Sequence, residues 1–101
     1  MKRVLTISLL SALLAGPVLA DEALAKSKQC VACHAVEKKL VGPAYRDVAR
    51  KYAGQSDAAT KLAAKIVAGG SGTWGAVPMP ANTQVSQAEA LQLANWVLSL
   101  K

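Results

Sequence analysis

The sequence predicts an all-α domain of four to five helices, and three observations carry that reading. Strand-type alternation of apolar and polar residues is absent, glycine and proline pairs divide the chain into helix-sized segments, and the last segment opens on a capping signature and continues with apolar residues at helical spacing. No internal repeat or low-complexity stretch interrupts this pattern.

Residues 1–20 stand apart from the rest. Lys2 and Arg3 precede an apolar run from Val4 to Ala15, and Val18-Leu19-Ala20 has the small-residue form of a cleavage site. The run is broken at Gly16-Pro17 and falls short of the roughly 20 apolar residues that a spanning helix needs. Residues 1–20 are therefore expected to be a signal peptide that is removed, leaving 21–101 as one exported domain with no integral membrane segment. No cysteine follows the cleavage point, which argues against a lipid anchor there.

In chain order, Asp21 to Gln29 carries acidic residues first and lysines later, complementing a helix dipole. Gly42-Pro43 closes a connecting loop, and Pro43 suits the first turn of a helix over roughly Ala44 to Tyr52. Gly54 ends it, and Asp57 is placed to cap a third helix in which alanines, Leu62, Ile66 and Val67 recur at helical spacing, until Gly69-Gly70 stops it. The stretch Gly69 to Thr83 is loop chemistry with a heavy apolar payload, which marks a functional loop rather than a linker. Ser86-Gln87-Ala88-Glu89 is a capping box. Behind it, Leu91, Ala94, Val97 and Leu98 form an apolar face that Leu93, Trp96 and Leu100 widen, with the N-terminal helix as its expected partner.

Between the first two helices lies Cys30-Val31-Ala32-Cys33-His34, which contains every cysteine and histidine of the chain. Two thiols two residues apart, followed at once by an imidazole, read as a c-type haem attachment site. The spacing suits the chemistry, since each sulfur adds to one vinyl group and His34 is set beneath the iron. A zinc site would need a fourth ligand, and no further cysteine or histidine exists. A thioredoxin-like pair belongs between a strand and a helix, and no strand pattern precedes Cys30. An intramolecular disulfide beside a bystander histidine stays open.

Composition agrees with a bound cofactor. The 81 residues that follow the signal form a small domain with limited capacity to bury apolar surface, and they include no Phe and four aromatics, Tyr45, Tyr52, Trp74 and Trp96. A porphyrin would supply the missing apolar bulk. Without Lys2 and Arg3 the chain has ten basic against six acidic residues, a formal +4. That excess suits acidic protein surfaces or anionic membranes and lacks the density of a nucleic-acid binder. One methionine, Met79, remains after the signal, bracketed by Pro78 and Pro80. It is the candidate for the second axial position, in competition with the ordinary role of a methionine as filler in an apolar loop.

Taken together, these segments resemble a known family. The set Cys30-Val31-Ala32-Cys33-His34, Val41-Gly42-Pro43-Ala44-Tyr45, Trp74-Gly75, Pro78-Met79-Pro80 and Ala94-Asn95-Trp96-Val97-Leu98 is similar to short class I bacterial cytochromes c of the cytochrome c-551 type, over nearly the full length of residues 21–101. The resemblance implies the small class I cytochrome c fold wrapped around one haem c, bound covalently through Cys30 and Cys33, with His34 and Met79 as iron ligands. It also implies that the Pro43 carbonyl accepts from His34, that Asn82 donates toward the Met79 sulfur, and that Trp74 and Lys65 hold a propionate. Lys65 departs from the arginine common among relatives, and Ala25 stands where some have a large aromatic.

The function expected is a soluble, monomeric one-electron carrier in the periplasm, not an enzyme. It would pass electrons between respiratory-chain partners such as a membrane donor complex and a terminal reductase or oxidase. Lys26, Lys28, Lys38 and Lys39 flank the attachment motif and suggest a positive collar for redox partners with acidic patches. Two rival readings are a five-coordinate haem that takes exogenous ligands, and a haem-free thiol module using Cys30 and Cys33.

Overall fold

The computed structural model describes the backbone of residues 17–100, so residues 1–16 of the expected signal segment lie outside the described residues. Four α-helices follow in order: α1 (Pro17–Ser27), α2 (Tyr45–Lys51), α3 (Ala58–Ala68) and α4 (Gln87–Ser99), with a single 3-10 turn at Cys30–Ala32 between α1 and α2. Among the described residues there is no strand, only two isolated bridges, His34 with Lys39 and Gly70 with Met79. None of the described helices is long and apolar enough to cross a membrane.

Helix α1 begins four residues before the expected Asp21, because Pro17 provides a pre-set helical φ and Val18-Leu19-Ala20 continue the turn. Asp21 and Glu22 thus fall in its second turn, and Lys26 occupies the last. Its C-terminal end stops at Ser27, two residues short of expectation, because Gln29 adopts φ 66° and turns the chain into the cysteine pair. Helix α2 matches the expected span within one residue at each end, with Ala44 as its N-cap.

Asp57 does stand at the N-cap of α3, yet it does not cap. Its carboxylate pairs instead with Lys61 at 3.2 Å, one turn into the helix. Gly69 closes α3 with φ 69°. The capping box at α4 is complete: Glu89 N donates to Ser86 Oγ at 3.1 Å, and Ser86 N donates to Glu89 Oε1 at 3.0 Å.

One core joins the helices. Ala25 of α1, Tyr45 and Val48 of α2, Leu62 of α3 and Leu93 and Trp96 of α4 are all buried in a single cluster, which Tyr52 also enters. Ala90 and Ala94 have no exposed surface, so α4 presents small side chains that let its neighbours approach closely. The expected packing partner needs correction, since α4 rests chiefly on α3, then α2, and only lastly on α1. Leu91, assigned to the apolar face, is 43% exposed, and Ala90 takes its place in the core. Replacing one by the other rotates the buried stripe by one position, which a face read from residue type alone does not resolve.

A haem cavity lined by the motif residues

A cavity of about 730 Å³ opens between α2, α3, α4 and the two long loops, and Cys30, Cys33, His34, Pro43, Lys65, Trp74, Met79 and Asn82 all line it. Its size falls within the range of small-molecule and cofactor sites. All eight residues singled out from the sequence therefore meet at one place, although they span positions 30 to 82 of the chain.

The cysteine side is built by local hydrogen bonds. Cys33 N and His34 N both donate to the Cys30 carbonyl, at 3.2 and 3.0 Å, which curls the motif into one tight turn. Gln29 is the one non-glycine residue with positive φ among the described residues, a strained conformation of the kind found beside functional sites. Burial pushes the Cys30 thiol up from its ordinary value, so in the unmodified polypeptide it is held as the thiol. Nothing here has the strand and helix context of a thioredoxin-like pair.

His34 is fixed from three directions. Its Nδ1 lies 2.7 Å from the Pro43 carbonyl oxygen. A carbonyl can only accept, so this contact puts a proton on Nδ1, and in the neutral tautomer that it selects the free lone pair is on Nε2. Tyr45 stacks on the imidazole with centroids 5.2 Å apart and planes at 21°, and Trp96 meets Tyr45 edge-on, also at 5.2 Å. Gly42 closes the third side: a Cβ there would sit 2.5 Å from His34 Cε1. Gly42 N also donates to the Cys33 carbonyl at 2.8 Å, so the loop is sewn to the motif it supports.

Tyr45 and Gly42 are functional residues that the sequence did not single out. Both belong to the quoted segment Val41–Tyr45, but their contact with the imidazole depends on a loop folding back over nine residues, which spacing does not reveal. Burial, reinforced by the nearby Cys30 and Cys33, raises the Tyr45 hydroxyl far above its usual range. Alkylated cysteines carry no charge, so burial alone would sustain that shift with a haem in place.

The methionine side rests on backbone. Gly70 N donates to the Met79 carbonyl at 3.0 Å and Met79 N donates to the Gly70 carbonyl at 2.8 Å. Any side chain at Gly69 would run into the Met79 carbonyl oxygen, and its φ of 69° disfavours one as well. Asn82 Nδ2 donates to Ile66 O at 2.8 Å and lies 3.5 Å from Pro80 O, while Gln84 Nε2 donates to Asn82 Oδ1 at 3.2 Å. One amide hydrogen of Asn82 is thereby spent on α3, and the residue pins the segment just after Met79.

At the rim, Lys65 Nζ donates to Thr73 Oγ1 at 2.5 Å, and the Lys51 ammonium lies 5.3 Å from the centroid of the Trp74 ring. Two members of the expected lysine collar are already paired, Lys26 with Glu22 at 3.8 Å and Lys28 with Glu89 at 3.3 Å. Lys38 and Lys39 have no carboxylate partner among the described residues, so the unneutralised part of the collar is narrower than the sequence suggests.

The residues present fit a haem. Beyond its size and its cysteine pair, the cavity is lined by His34, whose Nδ1 is engaged by the Pro43 carbonyl, and by Met79, a donor set suited to a haem iron. The comparisons agree. Residues 21–101 match the cytochrome c family. Cytochrome c-552 of Nitrosomonas europaea is 57% identical over 88% of this chain and 86% of its own length, and cytochrome c-552 of Hydrogenobacter thermophilus is 55% identical over the whole of both. The crystal structure of wild-type Nitrosomonas europaea cytochrome c552 superposes with a TM-score of 0.78, covering 79% of this chain and 99% of that one. The chain thus belongs to the cytochrome c family and is an electron-transfer protein whose haem c is bound covalently through Cys30 and Cys33.

Proposed function

We propose that residues 21–101, freed of residues 1–20, form a soluble monomeric carrier that moves single electrons through the periplasm, with His34 and Met79 as the two axial ligands. It would shuttle between a membrane donor complex and a terminal reductase or oxidase. The observation that carries the reading is the convergence of His34 and Met79, 45 positions apart, on one cavity that also holds both cysteines. The family match beginning at residue 21 supports the boundary.

Haem c supplies the ferric/ferrous couple when bound. The protein's part is to hold both ligands still and keep water away. The Pro43 carbonyl keeps the His34 proton on Nδ1, and the Tyr45 stack and Gly42 restrict the ring, so its orientation changes little with iron charge. The Gly70 pair and the flanking prolines restrict Met79 in the same way. Trp74 and Lys65 are assigned to a propionate, and Asn82 to the Met79 sulfur through the amide hydrogen that otherwise meets the Pro80 carbonyl at 3.5 Å. Among the described residues nothing accepts the Trp74 indole hydrogen, which leaves it available for that role. A soft thioether opposite an imidazole favours the ferrous state and raises the potential.

The visible spectrum of the periplasmically expressed protein tests this directly. Sharp reduced α and β bands, with a far-red methionine-to-iron band in the ferric form, are expected. Met79→Ala should keep the haem, lose the far-red band and bind added imidazole more tightly. A high-spin spectrum in the wild type, or an unchanged spectrum in the variant, would overturn the ligand assignment.

A further inference from the structure

The loop from Gly69 to Pro78 leads directly to Met79, and little holds it. Gly70, Gly72 and Gly75 all take positive φ, and the loop's own backbone contributes one internal hydrogen bond, Gly72 N to Gly75 O at 2.8 Å. Trp74, its one large side chain, is 43% exposed. Two lysines from two different helices reach it: Lys65 of α3 donates to Thr73, and Lys51, the last residue of α2, sits over the face of the adjacent Trp74. Neither ammonium has a carboxylate partner among the described residues. Lys51 therefore keeps its full charge for the indole, and the negative end of the α2 dipole holds that charge near the helix terminus.

We propose that Lys51 is a positioning residue, a cationic latch that clamps Trp74 against the end of α2 and so restrains the loop that carries Met79. The inference rests on the reading of Met79 as an iron ligand. Lys51 is not itself among the residues that line the cavity; it acts through the face of Trp74, which is, and leaves the indole N–H, which lies along the ring edge, free for the cavity. Opening the latch would loosen the segment Gly72–Val77 and let the thioether leave the iron more often.

Holoproteins carrying Lys51→Gln and Lys51→Arg separate the charge from the aliphatic stem. An exposed cation over an indole is worth enough that its loss should shift the loop's opening equilibrium by about two- to fivefold. Ferric Lys51→Gln is expected to bind imidazole about two- to fivefold more tightly than wild type, followed by loss of the far-red band, and the Gly72 amide should exchange with solvent faster by a similar factor. Lys51→Arg, which keeps the cation, should match wild type in both. Unchanged imidazole affinity and Gly72 exchange in Lys51→Gln, or an equal shift in Lys51→Arg, would overturn the latch. A wild type without the far-red band would overturn Met79 ligation instead, and in that event faster Gly72 exchange in Lys51→Gln alone would still establish the clamp on Trp74.

Discussion

At the scale of single residues, the candidate haem-binding side chains are the ones the sequence discloses, and the residues that position them are not. Cys30, Cys33, His34 and Met79 are legible because their chemistry is rare in this chain, whereas Gly42 looks like any turn glycine beside a proline. Its role comes from the 2.5 Å that would separate an added Cβ from His34 Cε1. Gly42 does not need a positive φ, so alanine is conformationally allowed there and the penalty is purely steric. Gly42→Ala should cost about 1–3 kcal/mol in denaturant unfolding, as overpacking of a tight contact does. It should also disturb the haem spectrum by displacing the imidazole. A variant with wild-type stability would mean that the loop yields without strain.

At the scale of elements, the helices are legible where their ends carry their own chemistry. The Ser86/Glu89 box marks the start of α4 correctly because both partners lie within four residues, so local sequence contains the whole interaction. Asp57 shows the limit: it has the right type and position, but Lys61 one turn on takes its carboxylate. Which helix packs on which is less visible, since the small residues Ala90 and Ala94 set the close approach and carry no strong pattern. Ser86→Ala should lower stability by about 1 kcal/mol, read from the denaturant midpoint. The Glu89 carboxyl is held below its ordinary value of 4.5, first by the Ser86 backbone amide and further by Lys28. A folded-state pKa lowered in this way adds stability above 4.5 that disappears as pH falls through the folded value. The stability gap between wild type and Glu89→Gln should accordingly be full at neutral pH and shrink in acid, and a gap independent of pH would refute the assignment.

At the scale of the whole molecule, a polypeptide without phenylalanine builds its core from four helices, three of which, with two long loops, enclose a cavity that a haem completes. The sequence discloses that shortage of bulk, but not which surface charges remain free, because pairing depends on tertiary neighbours such as Lys28 with Glu89. Steering of an acidic partner should thus depend more on Lys38 and Lys39 than on Lys26 and Lys28. Replacing Lys38 and Lys39 with glutamate should slow association at low ionic strength and flatten the salt dependence, while the same change at Lys26 should do less. An effect at Lys26 equal, per charge changed, to that at Lys38 and Lys39, measured by stopped-flow electron transfer with an acidic partner, would argue against this ranking.

The reciprocal bonds between Gly70 and Met79 have one more result. They close the eight residues between them into a ring whose two ends are already fastened, so the backbone position of Met79 does not depend on the length of what lies inside. Because the entropy of closing a flexible loop grows only with the logarithm of its length, adding a residue or two there costs a few tenths of a kcal/mol at most, roughly. A longer or shorter ring would reshape the surface around Trp74 while the two Gly70–Met79 bonds still set the backbone of Met79.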